Sequence, residues 1–328
     1  MSSLRTDPDQ GGHGGRTAAR GVAICIATHR RPRGLERLLK SLERLTFTHG
    51  SEPAVGIIVV DNDPAGTASG VCAGLGQTYR WPLMYVAERR RGIPFARNAA
   101  VRTARSRGAE LLAFIDDDEV PEPAWLDELI VALTEYKADV VTGPVLPRFE
   151  VEAPAWVHRG RFFELSRHET GTYLDRAYTN NVLVHSRVFD ALPTPFDERK
   201  ALSGGTDTHL FLRLADAGHR IVWSDRAVVH EWIPATRLTT NWLVRRAFRT
   251  SSNWSSCERE LRPSLLGRAA RIAKALGRIG QGMILLPVGL LAGRHLLVRS
   301  LQCLSMGAGS LAGMVGWEYD EYGVTHGG

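Results

Sequence analysis

Short apolar, β-prone runs alternate with amphipathic helix patterns through the first half of the chain. The first run covers residues 22–27, and after a break at residues 28–32 leucines recur at helical spacing, at Leu35, Leu38, Leu39, Leu42 and Leu45. Similar apolar runs follow at residues 55–60, 111–115 and 139–142. Strand and helix patterns that alternate with short links predict an α/β fold built on an open, mostly parallel sheet with flanking helices.

Polar and acidic residues directly follow several of these runs. Thr28 follows the first run, Asp61 begins the turn DNDP after the second, and Asp116 follows the run at residues 111–115. Ligands of open parallel sheets bind beyond the carboxyl ends of the strands, where successive loops converge. We therefore expect Thr28, Asp61 and Asp116 to line one ligand site.

The acidic turn Asp116-Asp117-Asp118-Glu119 concentrates like charges at the end of a buried strand. Their mutual repulsion is severe unless a cation compensates it. Magnesium and manganese take oxygen ligands and keep coordination positions open for substrate phosphates. Asp116 and Asp118 are therefore candidate ligands of a Mg²⁺ or Mn²⁺ ion that neutralises a diphosphate leaving group. An isolated DDD sequence also fits a solvated acidic loop, so the surrounding motifs must decide between the two.

The segment from residue 144 to residue 205 has weaker periodicity and more aromatic and basic residues than the segment before it. This composition predicts an insertion that shapes the substrate site, not a second core. Regular patterns return with a helix over residues 206–217 and strand-like runs at residues 220–223 and 227–229.

The C-terminal segment from residue 261 to residue 317 contains no Asp or Glu but carries several basic residues, namely Arg262, Arg268, Arg271, Lys274, Arg278, Arg294 and Arg299. Apolar residues recur beside them at helical spacing between Leu265 and Ile279, as in an interfacial amphipathic helix. The uncharged stretches at residues 279–293 and 300–317 are short or rich in glycine. We expect peripheral contact with the anionic inner face of the cell membrane; a soluble pair of docking helices and a spanning helix are the alternatives.

Composition indicates a folded protein with an anionic partner. Hydrophobic residues make up 44% of the 328-residue chain, charged residues make up 23%, and the net charge is +6. The four cysteines have no C-x-x-C spacing, which indicates a reducing compartment. Residues 1–20 lack the apolar run of a signal peptide, so we expect a cytoplasmic protein. The expected organisation is a disordered lead-in at residues 1–20, a nucleotide-binding domain at 21–235 and a helical tail at 236–328.

Five motifs occur in the order and spacing of one enzyme family. They are IATHRRP, VVDNDP, GIPFARNAAV, FIDDDEVP and the long segment SGGTDTHLFLRLADAGHRIVWSDRAVVHEW. Over residues 22–233 the chain resembles the inverting glycosyltransferases of family 2, which have the GT-A fold, and within them the exopolysaccharide enzymes that build lipid-linked oligosaccharides. The resemblance implies a nucleotide diphosphate-sugar donor, with a UDP-sugar expected, and a saccharide or lipid-linked saccharide acceptor.

The resemblance assigns roles on the donor side of the site. It places Thr28 and Asp61 at the nucleoside, with Asp61 accepting a hydrogen bond from the base or ribose. It gives Asp116 a contact with the ribose or the metal and makes Asp118 a direct metal ligand. The guanidinium groups of Arg91 and Arg97 are expected to meet the diphosphate, which their planar geometry suits. Surface charges without a ligand are the alternative for both arginines.

On the acceptor side, the resemblance makes Asp207 the general base. The chain has Thr206 where a glutamate is common in the family, and a T-D pair at a helix start is also an ordinary N-cap. His230 resembles a histidine that supplies a further metal contact, although a histidine near a strand end is often simply hydrogen-bonded. Glu231 and Trp232 are expected to line the acceptor site.

Two other functions fit part of the pattern. A nucleotidyltransferase that makes sugar nucleotides uses a similar sheet, but THRRP stands where its glycine-rich triphosphate loop is expected. The sequence also has neither a P-loop nor a G-x-G-x-x-G motif after a strand. A basic nucleic-acid-binding protein fits the charge, but the chain lacks a recognised module and has an acidic cluster at the expected site. We therefore expect no nucleic-acid partner.

Overall fold

The alternating strands form one sheet in the computed structural model of the protein, which describes residues 21–317 apart from residue 202. The first four strands of this sheet are β1 (Gly21–Thr28), β2 (Ala54–Asp61), β3 (Leu83–Ala87) and β4 (Leu111–Ile115). β1 pairs in parallel with β2 and β4, and β2 pairs in parallel with β3. The predicted parallel sheet is thus confirmed for this half of the fold. The predicted lead-in at residues 1–20 lies outside the described residues.

The other half of the sheet departs from the prediction. It contains β6 (Val140–Thr142), β8 (Tyr173–Leu174), β9 (Asn181–His185) and β10 (Ile221–Trp223), and among the described residues the strand order is β3-β2-β1-β4-β9-β6-β10-β8. β9 pairs antiparallel with both β4 and β6. Val182, Leu183 and Val184 are fully buried there. The prediction that residues 144–205 form a substrate-shaping insertion is therefore wrong for β9, which is an inner strand of the main sheet. A five-residue strand buried on both faces shows no periodicity, so the sequence pattern did not indicate it.

A small second sheet lies beside the first. Its strands are β5 (Glu119–Pro121), β7 (Val145–Phe149) and β11 (Val229–Ile233), in the order β5-β11-β7. β11 pairs antiparallel with β5, and this register sets Glu231 opposite Glu119. The second sheet thereby connects the acidic turn to a distant part of the chain.

Apolar residues cover both faces of the main sheet. In β1, Val22, Ile24 and Ile26 belong to one buried cluster, whereas Ala23 and Cys25 belong to another, as strand alternation requires. The helices of this part of the chain are α1 (Pro32–Leu42), α2 (Ser69–Leu75), α3 (Ile93–Ser106), α4 (Trp125–Glu135), α5 (Ala155–Gly160) and α6 (Thr206–Asp216). The predicted leucines of α1 pack in the first cluster and the alanines of α3 in the second. The sheet is therefore covered by helices on both sides.

The tail folds into three long helices, α7 (Thr240–Leu261), α8 (Leu265–Ala292) and α9 (Arg294–Met314), within the described residues. α8 begins at the predicted residue but continues past residue 279, with Pro287 inside it. A third buried cluster joins Val298 of α9 to Leu243 of α7 and to Ile233 at the end of β11. The packing therefore crosses the predicted domain boundary at residues 235 and 236.

Glycines let α9 approach α7 closely. A Cβ atom at Gly309 would collide with the carbonyl oxygen of Phe248, and one at Gly313 would collide with that of Ser252. Two small residues four positions apart lie on one helix face, so backbones can meet there. Any larger residue at these positions must push the helices apart.

Replacing Gly309 by alanine is expected to lower the free energy of unfolding by about 1–3 kcal/mol, the typical cost of overpacking. Gly277→Ala is the matched control, because among the described residues no atom lies within 4 Å of a Cβ built there. That control should leave stability unchanged or raise it by up to about 1 kcal/mol through helix propensity. Urea unfolding followed by circular dichroism measures both, and equal midpoints for the two variants would contradict the close α7–α9 packing.

Candidate active site

The three predicted ligand-site positions lie together at the carboxyl ends of parallel strands. Thr28 ends β1 and lies beside Asp61, which ends β2. The hydroxyl of Thr28 donates to Asp117 Oδ2 over 2.7 Å, which links the end of β1 to the acidic turn after β4. The convergence expected from the strand pattern is therefore present.

The acidic turn is compact and unevenly exposed. Asp117 and Glu119 are buried, while 40% of the Asp116 side chain remains exposed. The backbone N–H of Asp116 donates to Glu119 Oε2 over 2.8 Å, which holds the turn closed. Burial raises the pKa of Asp117 to about 6 and that of Glu119 well above its usual value, and the neighbouring carboxylates add to both effects. The ionised forms of Asp117 and Glu119 are therefore disfavoured in this turn.

Two arginines pair with the same oxygen of this turn. Arg31 Nη1 lies 3.0 Å from both Asp117 Oδ1 and Asp118 Oδ2. Arg237 places Nη2 3.0 Å from the same Asp118 oxygen and Nη1 2.6 Å from Glu231 Oε1. Sequence reasoning assigned a role to neither arginine. Arg31 lies within the motif THRRP, so its place in the site could have been predicted. Arg237 lies beyond the last of the five motifs, and no sequence pattern indicates its role.

Arg97 connects the acidic turn to the start of α6. Its Nη2 lies 3.5 Å from Asp116 Oδ1, and its Nη1 donates to Thr206 Oγ1 over 3.3 Å. Asp207 follows directly and is half-buried, with Oδ1 accepting from the N–H of Thr208. Partial burial raises the pKa of Asp116, the charge of Arg97 opposes this shift, and the charges of Asp118 and Asp207 add to it. Asp207 thus lies within electrostatic range of the turn.

Glu231 reaches the acidic turn through the second sheet. It lies opposite Glu119 in the β5–β11 pair and holds Arg237. Burial raises its pKa, and the charge of Asp118 adds to the shift. Glu231 therefore belongs to the same electrostatic cluster as the acidic turn, on the side where the tail begins.

His230 and Trp232 lie on the opposite face of β11 from Glu231, because side chains alternate along a strand. His230 Nε2 lies 3.1 Å from Glu122 Oε1. The Trp232 ring lies under Arg37, whose Cζ is 4.2 Å from the ring centroid. The Trp232 N–H donates to the carbonyl oxygen of Asp118 over 2.9 Å, so the backbone of β11 reaches the acidic turn. The His230 side chain, however, faces Glu122, whereas a metal contact would require it to face the turn.

Asp61 is fully buried and its carboxylate is engaged within its own turn. Oδ1 accepts from the N–H of Asp63 over 3.0 Å, and Oδ2 accepts from the N–H of Ala68 over 2.9 Å and from the Tyr85 hydroxyl over 3.1 Å. These bonds fix the DNDP turn in one conformation. Asp61 therefore organises the turn that carries the neighbouring polar groups.

The loop that carries Arg91 is held against the DNDP turn. The Asn62 side chain donates to the carbonyl oxygens of Glu88 and Arg90 and accepts from the N–H of Gly92 over 2.9 Å. Gly92 has φ 133°, which a residue with a side chain rarely adopts. Arg91 is exposed on this loop. Arg91, which is predicted to bind the donor, thus lies at the exposed rim of the site, whereas the Arg97 side chain is largely buried.

A second group of potential metal ligands lies beside the first turn of α6. Ligand atoms of Asp197, His209 and Glu260 all lie within 4.8 Å of one another. Arg199 Nη2 is already 2.7 Å from Asp197 and 2.9 Å from Glu260, and Lys200 Nζ is 3.1 Å from Glu260. Cations contact the carboxylates of both groups. The acidic turn is the stronger candidate for a metal site because four acidic residues adjoin there at the carboxyl end of a parallel strand, where ligands of such sheets bind.

Comparison with known proteins gives a consistent result. Residues 23–190 match the family described as Glycosyl transferase family 2. The succinoglycan biosynthesis protein ExoM of Rhizobium meliloti (strain 1021) is 31% identical over 229 residues, which cover 70% of this chain and 72% of ExoM. The glycosyltransferase AglE of Haloferax volcanii is 23% identical over 203 residues, covering 62% of this chain and 64% of AglE.

Solved structures share the fold. The crystal structure of S. aureus TarS 1-349 in complex with UDP-GlcNAc has a TM-score of 0.51 at 13% identity, covering 89% of this chain and 91% of TarS 1-349. The same TarS fragment in another crystal structure has a TM-score of 0.50 at 13% identity, with 89% and 90% covered. At this identity the likeness concerns the fold.

The matched region begins in β1, contains the acidic turn and ends after β9, so it holds most of the site described above. This match favours neither a nucleotidyltransferase nor a nucleic-acid-binding protein. The mixed α/β architecture agrees with the predicted GT-A fold. The chain is therefore a glycosyltransferase and belongs to glycosyl transferase family 2.

Proposed function

We propose that this glycosyltransferase transfers a sugar, with inversion, from a UDP-sugar to a saccharide or lipid-linked saccharide in polysaccharide biosynthesis. The observation that carries the proposal is the acidic turn at the carboxyl end of β4, flanked by Arg31, Arg97 and Arg237. Carboxylates suit a metal and guanidinium groups suit a diphosphate, and a nucleotide-sugar donor needs both. The role of ExoM in succinoglycan biosynthesis and the UDP-GlcNAc bound to TarS support the acceptor class and the donor class.

The residues of the turn fit a hard divalent cation. Asp116 and Asp118 offer carboxylate oxygens two positions apart, and Asp116 is accessible from solvent. Burial raises the pKa of Asp117 and Glu119, and a cation at the turn would stabilise the ionised forms that burial disfavours. Asp116 and Asp118 would hold Mg²⁺ or Mn²⁺, which neutralises charge on the leaving diphosphate when bound. His230 is not needed in this ligand set, since it faces Glu122.

The donor lies across the ends of β1, β2 and β4 in this proposal. Thr28 borders the nucleoside pocket, and Asp61 shapes it by holding the DNDP turn. Arg97, whose side chain is 11% exposed beside Asp116, meets the diphosphate from inside the site, and Arg91 meets it from the rim. Guanidinium groups bind phosphate oxygens in bidentate geometry and stay charged at every relevant pH.

Asp207 is the general base of the proposed transfer. An inverting displacement needs a carboxylate within hydrogen-bond reach of the acceptor hydroxyl, on the side of the sugar opposite the leaving diphosphate. Asp207 is the second residue of α6 and follows Thr206, which Arg97 ties to Asp116. Glu231 is the reserve candidate, but its Oε1 is engaged by Arg237 at 2.6 Å. Glu231 and Trp232 border the acceptor side in this proposal, with the Trp232 ring packed against Arg37 on the face of β11 opposite Glu231.

Activity should depend on a divalent cation bound through Asp118. Asp118→Asn is expected to lower kcat/KM by about 10²-fold or more, since several kcal/mol of charge stabilisation at the leaving group disappear. Chelation by EDTA should have the same effect on the wild type, with recovery on adding Mn²⁺ or Mg²⁺. Release of UDP from UDP-sugars measures both, and Asp190→Asn, on an exposed pair with Arg105, is the control. Full turnover in chelator would remove the metal from the proposal.

Removal of the base should impair the transfer step and spare donor binding. Asp207→Asn is expected to lower kcat by about 10²–10⁴-fold with little change in UDP affinity, because this carboxylate acts on the acceptor. Steady-state kinetics and UDP titration separate the two quantities, with Glu231→Gln measured in parallel. If Asp207→Asn turns over normally and Glu231→Gln is inactive, Glu231 is the base. Product with retained anomeric configuration would rule out the inverting mechanism.

The proposal also places the enzyme peripherally on the anionic inner face of the cell membrane. α8 exposes a row of large apolar side chains, including Leu265 at 87%, Leu266 at 83%, Ile284 at 73% and Leu291 at 91%. By length and composition this 28-residue helix can cross a membrane. α8 itself contains no acidic residue, and although Arg271 pairs with Glu258 of α7, the basic side chains of Arg268, Lys274 and Arg278 are exposed. Exposed basic residues favour contact with anionic lipid, at about 1 kcal/mol each. A surface position would bring the site to a lipid-linked acceptor.

Charge placed on the apolar face of α8 should abolish membrane binding in the full-length chain. The variant Ile284→Glu/Leu291→Glu is expected to remain in the supernatant when sedimented with anionic liposomes, whereas the wild type pellets. Leu165→Glu, at a side chain that is 56% exposed outside the tail, is the control and should pellet. Extraction of the wild type by alkaline carbonate is expected for peripheral binding. Equal sedimentation of all three proteins would show that α8 does not contact lipid.

A further inference from the structure

The guanidinium groups of two arginines pair with one oxygen of Asp118. Nη1 of Arg31 and Nη2 of Arg237 both lie 3.0 Å from Asp118 Oδ2. The Asp118 and Arg237 side chains are 18% and 13% exposed, so water screens this arrangement weakly. The residue best suited to hold the metal is thus already paired with two guanidinium groups.

A divalent cation and a guanidinium group compete for such an oxygen. Both need its lone pairs, and like charges brought to one atom repel each other strongly where water is scarce. A diphosphate changes the balance, because its oxygens accept bidentate hydrogen bonds from arginine at least as well as a carboxylate does. Binding of the nucleotide would therefore give the arginines a new partner and expose Asp118 to the metal.

We propose that Arg31 and Arg237 exchange partners on donor binding: they hold Asp118 in the donor-free enzyme and transfer to the diphosphate when the metal takes Asp118. The inference rests on the proposed function and assigns two positioning residues to it. It makes metal and nucleotide binding interdependent, and by thermodynamic linkage each ligand raises the affinity for the other by the same factor.

Arg237 can exchange one partner while it keeps the other, because its two terminal nitrogens pair with different carboxylates. Its Nη1 is held by Glu231, which β11 fixes against β5, while its Nη2 holds Asp118. Arg237 ends a short 3₁₀ turn, Ala235–Arg237, between β11 and α7. The guanidinium group can therefore pivot about Glu231, so that Nη2 moves from carboxylate to phosphate and Nη1 stays in place.

The test compares binding of MnCl₂ alone, UDP alone and both together to full-length wild type and Arg237→Gln by calorimetry. In the wild type, UDP is expected to raise Mn²⁺ affinity by about tenfold or more, within the usual range of coupling between sites. Arg237→Gln should bind Mn²⁺ alone several-fold more tightly and UDP alone several-fold more weakly. These changes have opposite signs, which a loss of structure cannot produce. Arg226→Gln, which removes an exposed arginine outside the cluster, should match the wild type.

The conservative variant Arg237→Lys keeps the positive charge and should retain weak binding of Mn²⁺ alone. Unchanged or weakened binding of Mn²⁺ alone by Arg237→Gln would overturn the partner exchange. Asp118→Asn distinguishes this failure from failure of the proposed function. If Asp118→Asn preserves the mutual enhancement of Mn²⁺ and UDP, the metal site itself is misassigned. If Asp118→Asn abolishes the enhancement while Arg237→Gln leaves binding of Mn²⁺ alone unchanged, the metal site stands and the exchange is refuted.

Discussion

Repulsion among the carboxyl groups that follow β4 is the constraint around which the site is arranged. The turn keeps its shape because cations reach it from separate elements: Arg31 from the loop before α1, Arg97 from α3 and Arg237 from the segment after β11. None of these residues is near Asp118 in sequence, so the compensation exists only in the folded chain. The charge that makes the turn useful for a metal and a diphosphate is therefore also what ties loops, helix and second sheet together.

The residues that could be predicted from the sequence are those whose role depends on local pattern. Apolar runs and leucine spacing predict β1 and α1, and the polar or acidic residues Thr28, Asp61 and Asp116 after three of these runs predict the edge of the sheet at which the site lies. β9 could not be predicted in the same way, because a five-residue strand buried on both faces has no period and its partners β4 and β6 lie far away in sequence.

The position of each residue along β11 explains why only one of the three predicted site residues on this strand has its side chain in the acidic cluster. The motif that includes His230, Glu231 and Trp232 resembles an active-site segment as a whole, but alternation along β11 points the Glu231 side chain toward the acidic turn and the other two side chains away from it. The register of β11 against β5 decides which face is which, and this register depends on residues more than a hundred positions apart. The resemblance to the family therefore identified the segment that contributes to the site. The pairing of β11 with β5 determines which of its side chains faces the acidic turn.

The tail is continuous with the site because they share a buried cluster. Ile233 ends β11 two residues after Glu231, and it packs with Leu243 of α7 and Val298 of α9. α9 in turn lies against α7 through glycines that allow backbone contact, and Arg299 donates to the carbonyl oxygen of Gly160 in α5. A rotation of the tail would therefore have to break packing next to Glu231 and Arg237. Any surface that binds α8 consequently fixes the direction in which the acidic turn faces, so that membrane contact would orient the reaction as well as locate it.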